Sequence, residues 1–106
     1  MVKRIKIVWD IQAKNSLKHI HDFIKKDSVQ NAKKVKKKLL EIAGNLDVFP
    51  KKFALEKYLD DNSIRSVIKW SYKIIYKITP GEIHIIDIFD VRQNPGKLKN
   101  IIDYDE

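Results

Sequence analysis

Hydrophobic residues recur at every second position near the start of the chain. Between Lys3 and Trp9, Ile5, Ile7 and Trp9 fall on one side of the backbone and Arg4, Lys6 and Val8 on the other. That alternation predicts a first strand. The period then changes. Ala13, Leu17, Ile20 and Ile24 are spaced by four, three and four, which draws one apolar stripe along a helix. Asp10 stands where that helix needs an N-cap, since its carboxylate can accept free amide hydrogens of the first turn. Asp27-Ser28 ends the helix and caps another. The second stripe is Ala32, Val35, Leu39, Ile42 and Leu46, running to about Asp47 before Phe49-Pro50 stops it. Two amphipathic helices with almost no linker predict an antiparallel hairpin.

From Lys51 to Asn62 the pattern weakens. Phe53, Leu55 and Tyr58 suggest an irregular extended segment, and Asp60-Asp61-Asn62 a turn. Three strands are then predicted: Ile64 to Trp70, Tyr72 to Ile78 and, after a Thr79-Pro80-Gly81 turn, Glu82 to Val91. Lys69 to Ser71 carries no strong turn signal. The order is strand, helix, helix and an antiparallel meander. This is an α+β domain with an antiparallel sheet and the helical hairpin packed on one face. One domain over residues 1–106 is expected, with 99–106 as an acidic tail.

Side-chain parity turns this order into a surface. With Tyr72, Ile74, Tyr76 and Ile78 facing the helices, Lys73 and Lys77 face away. With Ile64, Ile68 and Trp70 taken as inward, Arg65 and Lys69 face outward. Arg4, Lys6, Arg65, Lys69, Lys73 and Lys77 would then form a cationic shelf interspersed with Val8, Val67 and Ile75 on the uncovered face. Trp9 and Trp70 fall on the inward side, as core anchors. Such a shelf would suit an anionic polymer or an acidic peptide; the plain alternative is a solvated outer face.

Composition adds a sign to that surface. The 106 residues carry 22 Lys+Arg against 14 Asp+Glu, a formal charge of +8. Such a field favours nucleic acid, ribosomes or an acidic protein. The lysine cluster Lys33, Lys34, Lys36, Lys37 and Lys38 on the second helix reads as a solvated face, with nonspecific contact to RNA or DNA as the alternative. No cysteine is present, which excludes disulfides, thiolate chemistry and cysteine-ligated zinc and suits a reducing cytoplasm. No apolar run approaches the ~20 residues that span a bilayer. Neither a phosphate-cradling glycine loop nor a metal-ligand spacing is visible, so no cofactor and no metal are expected.

HIHDFIKKDSVQNAKKV followed by LLEIAGNLDVFP, then IRSVIKWSYKIIYKI and IHIIDIFDVRQNP, resemble the RelE/ParE superfamily of bacterial toxins from type II toxin–antitoxin modules. The likeness lies in the helical hairpin, the Tyr-(Arg/Lys)-x-x-Tyr core and the basic Arg-Gln-Asn-Pro ending, over about residues 5 to 98. It implies a growth-inhibiting toxin neutralised by a cognate antitoxin, whose acidic or amphipathic segment wraps it. ParE-like members poison DNA gyrase; RelE-like members cut messenger RNA in the ribosomal A site through its 2′-hydroxyl. The resemblance leaves the oligomeric state open.

Metal-free RNA cleavage needs a base, an acid and cationic donors for the charged phosphorane. By the resemblance, Lys73 takes the place of a phosphate-contacting arginine, Arg92 approximates a second one, and Arg65 approximates the basic pair on the preceding strand. Lysine at 73 loses the bidentate geometry of arginine. Asp90 or His84 would have to handle the proton, although His84 also reads as an ordinary strand histidine and Asp90 as an ion-pair partner of Arg92. His19 and His21 read as surface residues, and Tyr104 as too distant. A ParE-like gyrase poison is thus the favoured expectation, a RelE-like ribosome-dependent endoribonuclease the alternative, and a non-toxic nucleic-acid-binding module the third.

Overall fold

The computed structural model describes residues 5–56, 59 and 61–92. Arg4, Tyr58, Asp60, the segment 93–98, the acidic 99–106 tail and Tyr104 lie outside the described residues. Six elements follow in the expected order: β1 (Lys6–Trp9), α1 (Ile11–Lys25), α2 (Val29–Gly44), β2 (Ile64–Lys69), β3 (Tyr72–Thr79) and β4 (Glu82–Asp90). The sheet order is β1-β4-β3-β2. Strands β2, β3 and β4 form the antiparallel meander, whereas β1 joins the far edge parallel to β4. The sheet is therefore mixed. A parallel neighbour requires a long crossover, and here everything from α1 to β3 supplies it.

The helical stripes do the work their spacing implies. Ala13, Leu17, Val35, Leu39, Ala43 and Leu46 join Tyr72, Ile74, Tyr76, Ile83, Ile85 and Ile88 in one core cluster, with Ile5, Ile7, Trp9, Ile20 and Ile24 packed at its margin. Burying each large aliphatic side chain contributes about 1.5–3 kcal/mol. Between the helices, the amides of Asp27 and Ser28 both reach the Ile24 carbonyl, and the Ser28 hydroxyl accepts the Asn31 amide at 3.0 Å as the α2 N-cap. Asp10 holds the corresponding place in α1, but its carboxylate makes no capping bond. It lies instead 3.5 Å from the His84 ring.

The opposite face of the sheet is not bare. Ile64, Ile75, Ile86 and Phe89 form a second buried cluster there, with Leu59 packed against it. The β2 edge is partly closed by the extended segment after α2: the Glu56 amide donates to the Ile64 carbonyl, and the Ser66 amide to the Ala54 carbonyl. Between Ile75 and Tyr76 the β3–β4 register slips by one residue, a bulge that sets Ile86 and Asp87 together against Ile75.

Candidate functional site

Register decides which cations share a face, because residues paired across antiparallel strands point to the same side. Arg65 pairs with Tyr76, Val67 with Ile74 and Lys69 with Tyr72, and all three partners belong to the helix-side core. Arg65 and Lys69 therefore lie on the helix side. Lys73 pairs with Ile68 and Lys77 with Ile64, on the other side, and Lys6, paired with Glu82 in β1–β4, shares it. The five described members of the expected shelf are thus split between two faces. The inversion has a local cause. A turn of only two residues, Trp70-Ser71, joins β2 to β3 and locks Lys69 opposite Tyr72, so β2 takes its parity from β3 rather than from its own isoleucines. Ile68 is consequently exposed and Ile64 buried in the second cluster.

Lys73 itself is 6% exposed, and its Nζ lies 3.0 and 3.1 Å from the carboxylate oxygens of Glu56, which is 2% exposed. This pair crosses from β3 to the segment after α2. A lysine committed to a buried carboxylate is not presented as an open phosphate contact. Arg65 is likewise engaged: its Nη1 donates to the Phe53 carbonyl at 2.6 Å and reaches that of Lys51 at 3.4 Å. Lys77 remains half-exposed, 3.9 Å from Asp61.

Asp90 and Arg92 meet at the end of β4. Arg92 closes on both carboxylate oxygens, with Nε 2.9 Å from Oδ1 and Nη2 2.6 Å from Oδ2, and its backbone amide donates to Oδ1 as well. Hydrogen bonding from Arg92 holds the Asp90 carboxyl below its ordinary range, which weakens it as a base. The guanidinium is in turn already matched to an anion. His84 lies on the face opposite the helices, 3.1 Å from Glu82 and near Asp10, in register with Lys77 rather than with Asp90. Among the described residues, no group of three or more His, Asp or Glu is arranged to hold a metal.

Two concavities were not visible from the pattern. One, of about 660 Å³, runs between α1 and the end of β4 and is lined by Ser16, His19, Phe23, Tyr72, Asp87 and Arg92 among others. Asp87 is buried at its base, where the Ser16 hydroxyl and the Ile88 amide donate to its Oδ1. Burial raises its pKa, against those hydrogen bonds and one from Gln12. An acid inside the apolar run Ile85-Ile86-Asp87-Ile88-Phe89 was the available signal. The other concavity, of about 710 Å³, lies between the start of β1, the end of β3 and the segment after α2; Ile5, Val48, Phe49, Pro50 and Ile78 line it with Lys51 and Lys52. Val48 and Phe49 are exposed there.

The nuclease candidates each have a partner within the chain: Lys73 meets Glu56, Arg65 the Phe53 carbonyl and Arg92 Asp90. A family model described as the ParE toxin of type II toxin-antitoxin system, parDE, matches residues 7–95. The fold is similar to a solved structure of the chromosomal ParDE TA system from P. aeruginosa, with a TM-score of 0.70 and 17% sequence identity, over 85% of this chain and 99% of that one. Among curated protein sequences, none matches. The matched span runs from β1 through the helical hairpin and the meander, the same elements that carry the core and both concavities, and the chain therefore belongs to the ParE toxin family of type II toxin–antitoxin systems.

Proposed function

We propose that this protein is a growth-inhibiting toxin that acts by binding DNA gyrase and is neutralised by a cognate antitoxin. The observation that carries the gyrase reading is the dispersal of the nuclease candidates. Lys73 is buried against Glu56 on one face, Arg65 is on the other, and Arg92 is closed on Asp90. A phosphorane needs its donors aimed at one point. Here they are aimed at three different protein partners.

Antitoxin binding is supported by the concavity at Val48 and Phe49. Its floor is apolar, its rim carries Lys51 and Lys52, and the chain as a whole is basic. An amphipathic segment with acidic side chains complements both features.

Pulse expression in bacteria lacking the antitoxin tests the reading. An SOS response with gyrase-dependent DNA breaks and intact transcripts is the expected result. Codon-phased cleavage of transcripts on translating ribosomes would replace it with the RelE-like nuclease. Unimpaired growth would leave only a nucleic-acid-binding module.

A further inference from the structure

The β2–β3 hairpin turns through Trp70 and Ser71, and Trp70 has φ +56°, the only positive φ at a non-glycine among the described residues. Its Cβ opposes that conformation. Turns of this length ordinarily place glycine or asparagine where φ is positive. A buried indole could repay the strain by packing, but Trp70 is 49% exposed. The strain is therefore spent on holding a large aromatic out at the tip of a hairpin.

The surroundings have a consistent chemistry. Lys69 Nζ sits 5.0 Å from the centre of the indole ring, a cation held over its face. Ile68, on the face of β2 opposite Lys69, is exposed as well. The Val91 amide donates to the Ser71 carbonyl at 2.8 Å, which ties the end of β4 to the tip and brings the exposed Arg92 to the same end of the sheet. The acid at this end, Asp90, is neutralised by Arg92.

We infer that the Trp70 tip is the knob by which this protein engages an acidic protein surface, seating the indole in an apolar cleft rimmed by carboxylates. A protruding tip fits a cleft better than it offers one. Tryptophan and arginine are the side chains that most often dominate binding energy at protein interfaces. Lys69, held against the indole, and the charge of +8 select a partner of opposite sign. The inference rests on the gyrase reading for the partner's identity, but its geometry does not depend on that name.

Trp70→Gly is the discriminating variant, because glycine accepts φ +56° without strain. Its urea midpoint should equal or exceed that of the wild type, whereas a packing role for Trp70 would lower it and overturn the inference. In supercoiling assays with purified gyrase, Trp70→Gly should raise the half-inhibitory concentration at least ~10-fold, the loss of one interface anchor. Trp70→Phe should recover part of the effect, and Lys69→Glu should weaken inhibition with the fold intact. Equal inhibition by Trp70→Gly and wild type would refute the knob. If wild type leaves gyrase untouched, the target reading fails and growth arrest decides the tip separately. Arrest abolished by Trp70→Gly with transcripts intact supports a different acidic protein partner. Arrest unchanged by the variant, or accompanied by cut transcripts, overturns it.

Discussion

The buried Lys73–Glu56 pair is the point where the geometry makes its sharpest demand. Both side chains are almost fully withdrawn from water, with contacts of 3.0 and 3.1 Å. Replacing Lys73 with methionine preserves the stem but removes the ammonium from a carboxylate held in the interior. Breaking such a pair on one side costs about 3–5 kcal/mol. Against a total stability of roughly 5–15 kcal/mol for a domain of this kind, that is a severe loss. At about 4–8 °C per kcal/mol, the melting temperature of Lys73→Met should fall by about 12–40 °C. Glu56→Leu should cost a similar amount. The double variant Glu56→Leu/Lys73→Met should lose less than the sum of the two single losses, because both replacements remove the same buried contact. Urea unfolding of all four proteins, followed by circular dichroism, gives the coupling energy directly. A Lys73→Met protein within about 1 kcal/mol of wild type would refute the reasoning, since the buried pair would then carry little of the stability.

Three further outcomes follow from the same structure. The folded pKa of Asp87 is raised by burial, so its contribution to stability is fully present below the unfolded pKa and is lost as pH rises through the folded one. Asp87→Asn should accordingly match or exceed wild-type stability near neutral pH, with the advantage disappearing in acid, as thermal melts across pH will register. Tyr76 donates to the Pro50 carbonyl at 2.7 Å, and Tyr76→Phe should cost about 1 kcal/mol in urea unfolding. Ser28→Ala removes the α2 N-cap bond and should cost a similar ~1 kcal/mol, with hydrogen exchange rising first at the Asn31 amide.

The fold was largely legible because its two periods are clean. The stripe Ala13, Leu17, Ile20, Ile24 and the alternation Tyr72, Ile74, Tyr76, Ile78 both meet the core, and Thr79-Pro80-Gly81 announces its own turn. The parallel placement of β1 was not legible, since four residues of alternation do not record a neighbour's direction. The cationic shelf failed for a more specific reason. Ile64, Val67 and Ile68 allow either parity for β2, and the turn that settles it is made by Trp70, a residue that local preference excludes from positive φ. The same gap hid Trp70's exposure and made it look like a core anchor. Glu56 was invisible because it lies in a segment without periodicity, yet it decides the fate of Lys73. Where local rules were obeyed, the chain could be read; where Trp70 broke them, both the register and the most distinctive surface feature were missed.

The proposed mode of action is the gripping of a protein target, in place of RNA cleavage. Titrating the purified protein into gyrase and relaxed DNA, with ribosome-bound messenger RNA as the parallel substrate, tests it most directly. Loss of supercoiling with accumulation of gyrase–DNA cleavage complexes and no change in the RNA is the expected result. Messenger RNA cut in the ribosomal A site, with gyrase fully active, would contradict it.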